Sequence, residues 1–153
     1  LITGGYVPSP GAMVNIIEKL EIATTGDTTD FGDMTSPRNN LGATSSNTRG
    51  IIWGGSGQSP TPNVNIIDFV TIASAGDATD FGDLIGNSSS FANSCMSNNI
   101  RGLSAGGDTQ PGNYYTNIIQ HITIATTGDA QDFGDMLRAG AYFSSTSDSH
   151  GGL

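Results

Sequence analysis

Residues 65–83 read Asn-Ile-Ile-Asp-Phe-Val-Thr-Ile-Ala-Ser-Ala-Gly-Asp-Ala-Thr-Asp-Phe-Gly-Asp, and close copies of this phrase fill residues 15–33 and 117–135. The copies are offset by 50 and 52 residues. A period in this range signals one supersecondary unit that is stacked or arrayed. Everything else in the chain reads as connection between copies of that unit.

Four short strands are expected in each unit. The first is Leu1-Ile2-Thr3-Gly4-Gly5, matched by residues 49–55 and 101–107, and its paired glycines end it where a turn needs positive φ or close backbone approach. A variable Pro/Gly/Ser loop follows, over 6–13, 56–64 and 108–116. The second strand alternates Ile16, Glu18, Leu20 and Ile22, matched by Ile66, Asp68, Val70, Ile72 and by Ile118, Gln120, Ile122, Ile124. Period-two spacing of β-branched residues favours a strand over a helix. Gly26-Asp27 and its copies then read as a tight hairpin leading into the third strand, which carries Phe31, Phe81 or Phe133. Those three aromatics are expected to be buried between units. The fourth strand, near 40–46, 91–97 and 141–147, is rich in small polar residues, which suits a crowded innermost strand.

Composition supports this reading. Hydrophobic residues make up 35% and charged residues 12%, with Gly, Ser, Thr and Asn filling the deficit, as in short strands joined by many turns. The net charge of −9 argues against nucleic acid as a partner, because phosphate binding needs a basic face. Most of that acidity belongs to the repeat: Asp27, Asp30, Asp33, then Asp77, Asp80, Asp83, then Asp129, Asp132, Asp135. No apolar run reaches membrane-spanning length, so no membrane insertion is expected. Cys95 is the single cysteine, which rules out an intrachain disulfide.

Four strands per repeat of roughly fifty residues is the pattern of propeller blades. The fold expected is all-β: a β-propeller, one repeat domain over 1–153, with three four-stranded blades per chain. The order of strand, Gly-Gly, variable loop, alternating strand, turn and aromatic-bearing strand resembles a kelch-type repeat. Residues 71–84 and 48–55 resemble kelch-like repeats of virion and tail-fibre proteins of marine bacteriophages. The kelch Tyr…Trp pair is absent, with Phe31, Phe81 and Phe133 nearest the usual Trp position. The resemblance implies a non-enzymatic structural or receptor-binding module, on a virion or outside the cell, that contacts a host glycan or protein. The alternative is a glycan-degrading enzyme on a propeller scaffold, which would need convergent carboxylates.

Several local motifs carry less. Asp30-Phe31-Gly32 matches the magnesium-binding turn of protein kinases in letters only, because the accompanying kinase motifs are missing and the phrase recurs in every unit. The Asp27, Asp30, Asp33 triplet is too extended on one strand to close on a calcium ion. It reads instead as a turn cap (Asp27), an outward residue (Asp30) and an edge-blocking charge (Asp33), so no metal or other cofactor is expected. His121 and His150 lack Ser or Cys partners at motif spacing. Asn87-Ser88-Ser89 matches a glycosylation acceptor of the sort a Ser/Asn-rich chain produces by chance.

The variable loops are the candidate binding surface. Strand alternation sends them to one face, where the repeats differ most, at Tyr6, Gln58, Asp108, Tyr114 and Tyr115. The chain starts at Leu1, inside a unit, and reads as a fragment or processed piece. Residues 148–153 stand where the other repeats run into their first strand, so reading Leu153 onto Leu1 continues the pattern. A second copy of the same chain is therefore the expected partner, completing a six-bladed propeller as a homodimer.

Overall fold

The computed structural model describes residues 1–9, 11–58, 64–85, 94–109 and 114–147. Among them every regular element is a strand, and no helix is long and apolar enough to cross a membrane. The first sheet has three antiparallel strands in chain order, β1 (Ile2–Val7), β2 (Ala12–Lys19) and β3 (Thr29–Asp33). A short β4 (Arg38–Asn39) leads to the second sheet: β5 (Gly42–Ser45), β6 (Arg49–Trp53), then, past a short β7 (Ser56–Gly57), β8 (Ile66–Thr71) and β9 (Thr79–Asp83). The third sheet holds β10 (Ser94–Ser97) and β11 (Arg101–Ala105). After the loop strands β12 (Asp108–Thr109) and β13 (Tyr114–Tyr115), it finishes with β14 (Ile118–Thr123) and β15 (Gln131–Asp135).

Each four-stranded sheet crosses a repeat boundary. Its first strand, β5 or β10, comes from the tail of one repeat, and its other three come from the next. The first sheet has no such added strand among the described residues, which leaves β1 as an edge. The expected fourth strand is present as β5 and β10, but residues 141–147 form no strand, and 91–93 lie outside the described residues.

The connection after β2, β8 and β14 differs from the tight hairpin expected. Strand β8 ends at Thr71 and β9 starts at Thr79, so residues 72–78 form a longer link. Its first part is a turn, in which Ser74 N–H donates to Thr71 O at 3.3 Å. Its second part runs along the open edge of the preceding sheet. Gly76 N–H donates to Phe31 O and Ala78 N–H to Asp33 O, each at 2.7 Å. The third repeat repeats the scheme, with Gly128 N–H to Phe81 O at 2.7 Å and Ala130 N–H to Asp83 O at 2.8 Å. This close approach requires glycine: a Cβ on Gly32 would collide with the backbone of Gly76, and one on Gly82 with that of Gly128. An edge strand that would otherwise invite foreign pairing is thus covered by the next unit.

The core lies between sheets. Ile17, Phe31 and Met34 of the first pack on Ile52 and Val70 of the second. Ile51, Trp53, Ile67, Phe81 and Leu84 of the second pack on Ile122, Ile124 and Ala130 of the third. Both faces of the middle sheet are therefore buried, which simple alternation did not reveal: Ile67 points to one junction and Val70 to the other. Phe31 and Phe81 are 4% and 3% exposed, as expected of inter-unit aromatics, whereas Phe133 is 51% exposed. That expectation fails for Phe133 because burial comes from the following unit, and residues 136–153 hold no further copy of the phrase.

Candidate functional site

The variable loops are built on a common base. Gly4, Gly54 and Gly106 all adopt left-handed backbone, with φ of 58°, 51° and 71°; Gly4 sits at the register shift inside β1, and Gly54 and Gly106 directly follow the ends of β6 and β11. In the first repeat Gly5 pairs with Val14. In the others Val64 N–H donates to Gly55 O at 3.3 Å and Thr116 N–H to Gly107 O at 3.1 Å, so the same two positions close every loop. Above this base the repeats diverge. The first extends β1 and β2 into a ribbon with Tyr6 opposite Met13 and Val7 opposite Ala12. The second turns sideways, pairing β7 with β4 of the preceding connection. The third forms the β12–β13 ribbon, with Asp108 opposite Tyr115.

Of the five residues singled out from sequence, four present themselves to solvent. Tyr6, Tyr114 and Tyr115 are 59%, 70% and 53% exposed, and Gln58 is also exposed. Asp108 is buried, so its carboxylate does not offer a surface contact. The loop tips at 59–63 and 110–113 lie outside the described residues, as do His150 and Asn87-Ser88-Ser89.

Under the loops sits a polar network that sequence reading did not assign. Arg38, fully buried, forms an ion pair with the equally buried Asp68. The Arg38 guanidinium also donates to Gly54 O at 2.8 Å and Ile66 O at 3.2 Å. The Thr35 hydroxyl donates to Asp68 Oδ1 at 2.8 Å, and Thr35 N–H to Oδ2 at 3.3 Å. Burial pushes the Asp68 carboxyl up, while Arg38 and the Thr35 donors oppose that shift. Thr35 and Arg38 belong to the first repeat and Asp68 to the second, so the network bolts two sheets together. Gln120 holds the matching place in the third repeat, and its Oε1 accepts from Ile85 N–H at 2.8 Å. The signal in sequence was the polar residue set in the otherwise apolar second strand at 18, 68 and 120.

The repeat's aspartates also act across junctions. Asp77 Oδ1 accepts from Asp33 N–H and Asp129 Oδ1 from Asp83 N–H, both at 3.0 Å. The residue expected to cap its own turn instead holds the neighbouring strand. Asp80 and Asp132 accept from Gly82 and Gly134 N–H two residues on, which fixes the bend at the Phe-Gly step. Burial, then the charges of Asp129 and Asp80, raise the Asp83 carboxyl above its ordinary value. Among the described residues no three His, Cys, Asp or Glu side chains come together as a metal-binding group. Burial also pushes the Cys95 thiol up to about 12, which keeps it a protonated, unreactive group. His121 stacks edge-on against Phe133, with ring centroids 5.6 Å apart.

The arrangement therefore offers exposed tyrosines on short antiparallel ribbons, above sheets joined by buried polar contacts. No protein-family model matches the chain, and no curated protein is significantly similar to it.

Proposed function

We propose that the chain is a non-enzymatic module of a β-propeller, its sheets the blades, whose loop face docks a host-surface glycan or protein. The virion or fibre setting follows from the resemblance to kelch-like phage repeats. The observation that carries the reading is the set of exposed tyrosines, Tyr6, Tyr114 and Tyr115, on antiparallel ribbons that follow the paired glycines of their repeats. Tyrosine supplies a large apolar face with a polar tip and few rotatable bonds, which suits stacking on sugar rings and packing against protein alike. Among the described residues Asp68 is the carboxylate fully buried at a junction, and it is committed to Arg38 and Thr35 and thereby occupied structurally.

Glycan-array binding by the intact chain tests this directly. Binding that is lost in the Tyr114→Ala, Tyr115→Ala double variant, with the melting temperature unchanged, is the expected result. Silence across broad glycan and cell-surface protein arrays overturns the docking role and leaves a structural one.

A further inference from the structure

The two ends of the sheet array carry, unused, the two halves of the contact that both internal junctions make. At the tail, β15 is the last strand of its sheet. By repeat equivalence its outer edge presents Phe133 O and the N–H and C=O of Asp135, the groups that in β3 and β9 bond the next unit. A Cβ on Gly134 would meet nothing within 4 Å, whereas one on Gly32 or Gly82 would strike the following repeat. Phe133 and Leu137 are exposed, and Leu137 N–H holds the place of Thr35 and Ile85.

At the head, Gly26-Asp27-Thr28 is the first repeat's version of the segment that covers a neighbouring edge. Asp27 has no hydrogen-bond partner among the described residues, while Asp77 and Asp129 each hold a strand. Ile2, Leu20 and Ile22 are exposed, although their counterparts Ile52, Val70 and Ile124 are buried in the internal junctions. A cleft of about 260 Å³ runs beside β1, lined by Leu1 and Thr3 on one side and by Ala43, Thr44 and Ser45 on the other. It lies along the β1 edge where the other sheets carry β5 or β10. Residues 144–147, the counterpart of β5, already sit beside β10, with the Ser145 hydroxyl donating to Cys95 O at 2.6 Å.

We infer that the tail of this chain docks the head of a second copy, reproducing the internal junction between molecules. Gly26 N–H donates to Phe133 O of the other copy, Thr28 N–H to Asp135 O, and Asp135 N–H to Asp27. Leu137 N–H meets Glu18, as Thr35 meets Asp68 and Ile85 meets Gln120. Arg101 reaches Ile22 O, as Arg49 reaches Ile124 O at 2.9 Å. Residues 144–147 enter the cleft and give the first sheet its fourth strand. Each of these contacts has its counterpart in an internal junction. The number of copies rests on the propeller reading above: two give six sheets, within the usual four to eight blades, and three give nine.

Sedimentation equilibrium of the 153-residue chain across micromolar concentrations is the test. A reversible dimer is expected. Asp27→Ala removes a side chain that the separate chain does not use, so it should weaken dimerisation at least about tenfold without lowering the melting temperature of the monomer. Phe133→Ser should weaken it similarly. A chain that stays monomeric at every concentration, or an Asp27→Ala chain that dimerises as tightly as the parent, overturns the proposal. A trimer overturns the count of two. Silence of the intact chain across glycan and protein arrays, with dimerisation intact, would sink the docking role while leaving this interface standing.

Discussion

The first and second junctions share a backbone and differ in what fills them. At both, a glycine N–H, an aspartate carboxylate and the N–H of an alanine grip the neighbouring edge strand, with distances that agree within 0.1 Å (2.7, 3.0 and 2.7 Å against 2.7, 3.0 and 2.8 Å). Behind that grip the first junction combines a modest apolar cluster with the buried Arg38–Asp68–Thr35 network. The second has a larger apolar cluster around Trp53 and Phe81, with Phe69 edge-on to Phe81 at 5.9 Å and Arg49 4.5 Å above the Phe69 ring. Where the first repeat has Lys19 and Thr3, the second has Phe69 and Trp53. Main-chain bonding defines the junction, and side chains are free to fill it by ionic or apolar means.

The heaviest blow falls on what the junctions have in common. Phe81→Ala and Phe31→Ala should each cost about 3–5 kcal/mol in chemical denaturation, because each empties a fully packed site. A loss under about 1 kcal/mol at either would show that the aromatic is not the keystone of that core. The next experiment separates the junctions. Asp68→Ala strands a buried guanidinium and should cost about 3 kcal/mol, whereas Gln120→Ala removes one hydrogen bond and should cost about 1 kcal/mol. Equal losses would erase the distinction between an ionic and a neutral bolt. Asp77→Ala and Asp129→Ala then probe the shared grip, and both should cost about 1–2 kcal/mol, since each leaves one strand N–H without its acceptor. Unequal losses would mean that the surrounding fill alters the grip.

The smallest effect is electrostatic. The folded-state value of Asp83 is raised by burial and by Asp129 and Asp80, so the folded chain binds this proton more tightly than the unfolded one. Its charge therefore detracts from stability above that raised value, and stability is recovered as pH falls through it. Asp83→Asn should raise the melting temperature by about one or two degrees at neutral pH, an effect kept small by solvent screening. The gain should vanish in acid, once the native carboxyl is protonated. A variant that melts lower at neutral pH would refute the like-charge account.

The repeat, its strands and its Gly-Gly exits were legible because period and turn chemistry are written locally. The all-β class followed from them. What the local pattern could not show was which partner a polar group serves. Asp77 sits at a position that reads as its own turn cap, yet it bonds a strand of the preceding repeat. Arg38 occurs at a place with no repeated basic residue, so nothing in the period announced its burial. Glu18, Asp68 and Gln120 did stand out as polar residues in an apolar strand, but their donors arrive from the previous unit. In the candidate surface, exposed tyrosines were readable from loop position, while the burial of Asp108 depended on how its ribbon folds over the base.

The gripping segment has a consequence for how such a chain can lengthen. Because it meets its neighbour through main-chain atoms, one aspartate and one glycine, any unit carrying Gly-Asp in its link and Phe-Gly-Asp on its last strand fits behind any other. A tandem duplication would therefore be born with a working seam, before a single side chain had adapted. Drift could then specialise each seam separately, toward an ion pair in one and a tryptophan in another, without loosening the array. The same property makes the units exchangeable parts: splicing a second copy of residues 65–116 after the first should extend the array by one sheet with no redesign of the joint.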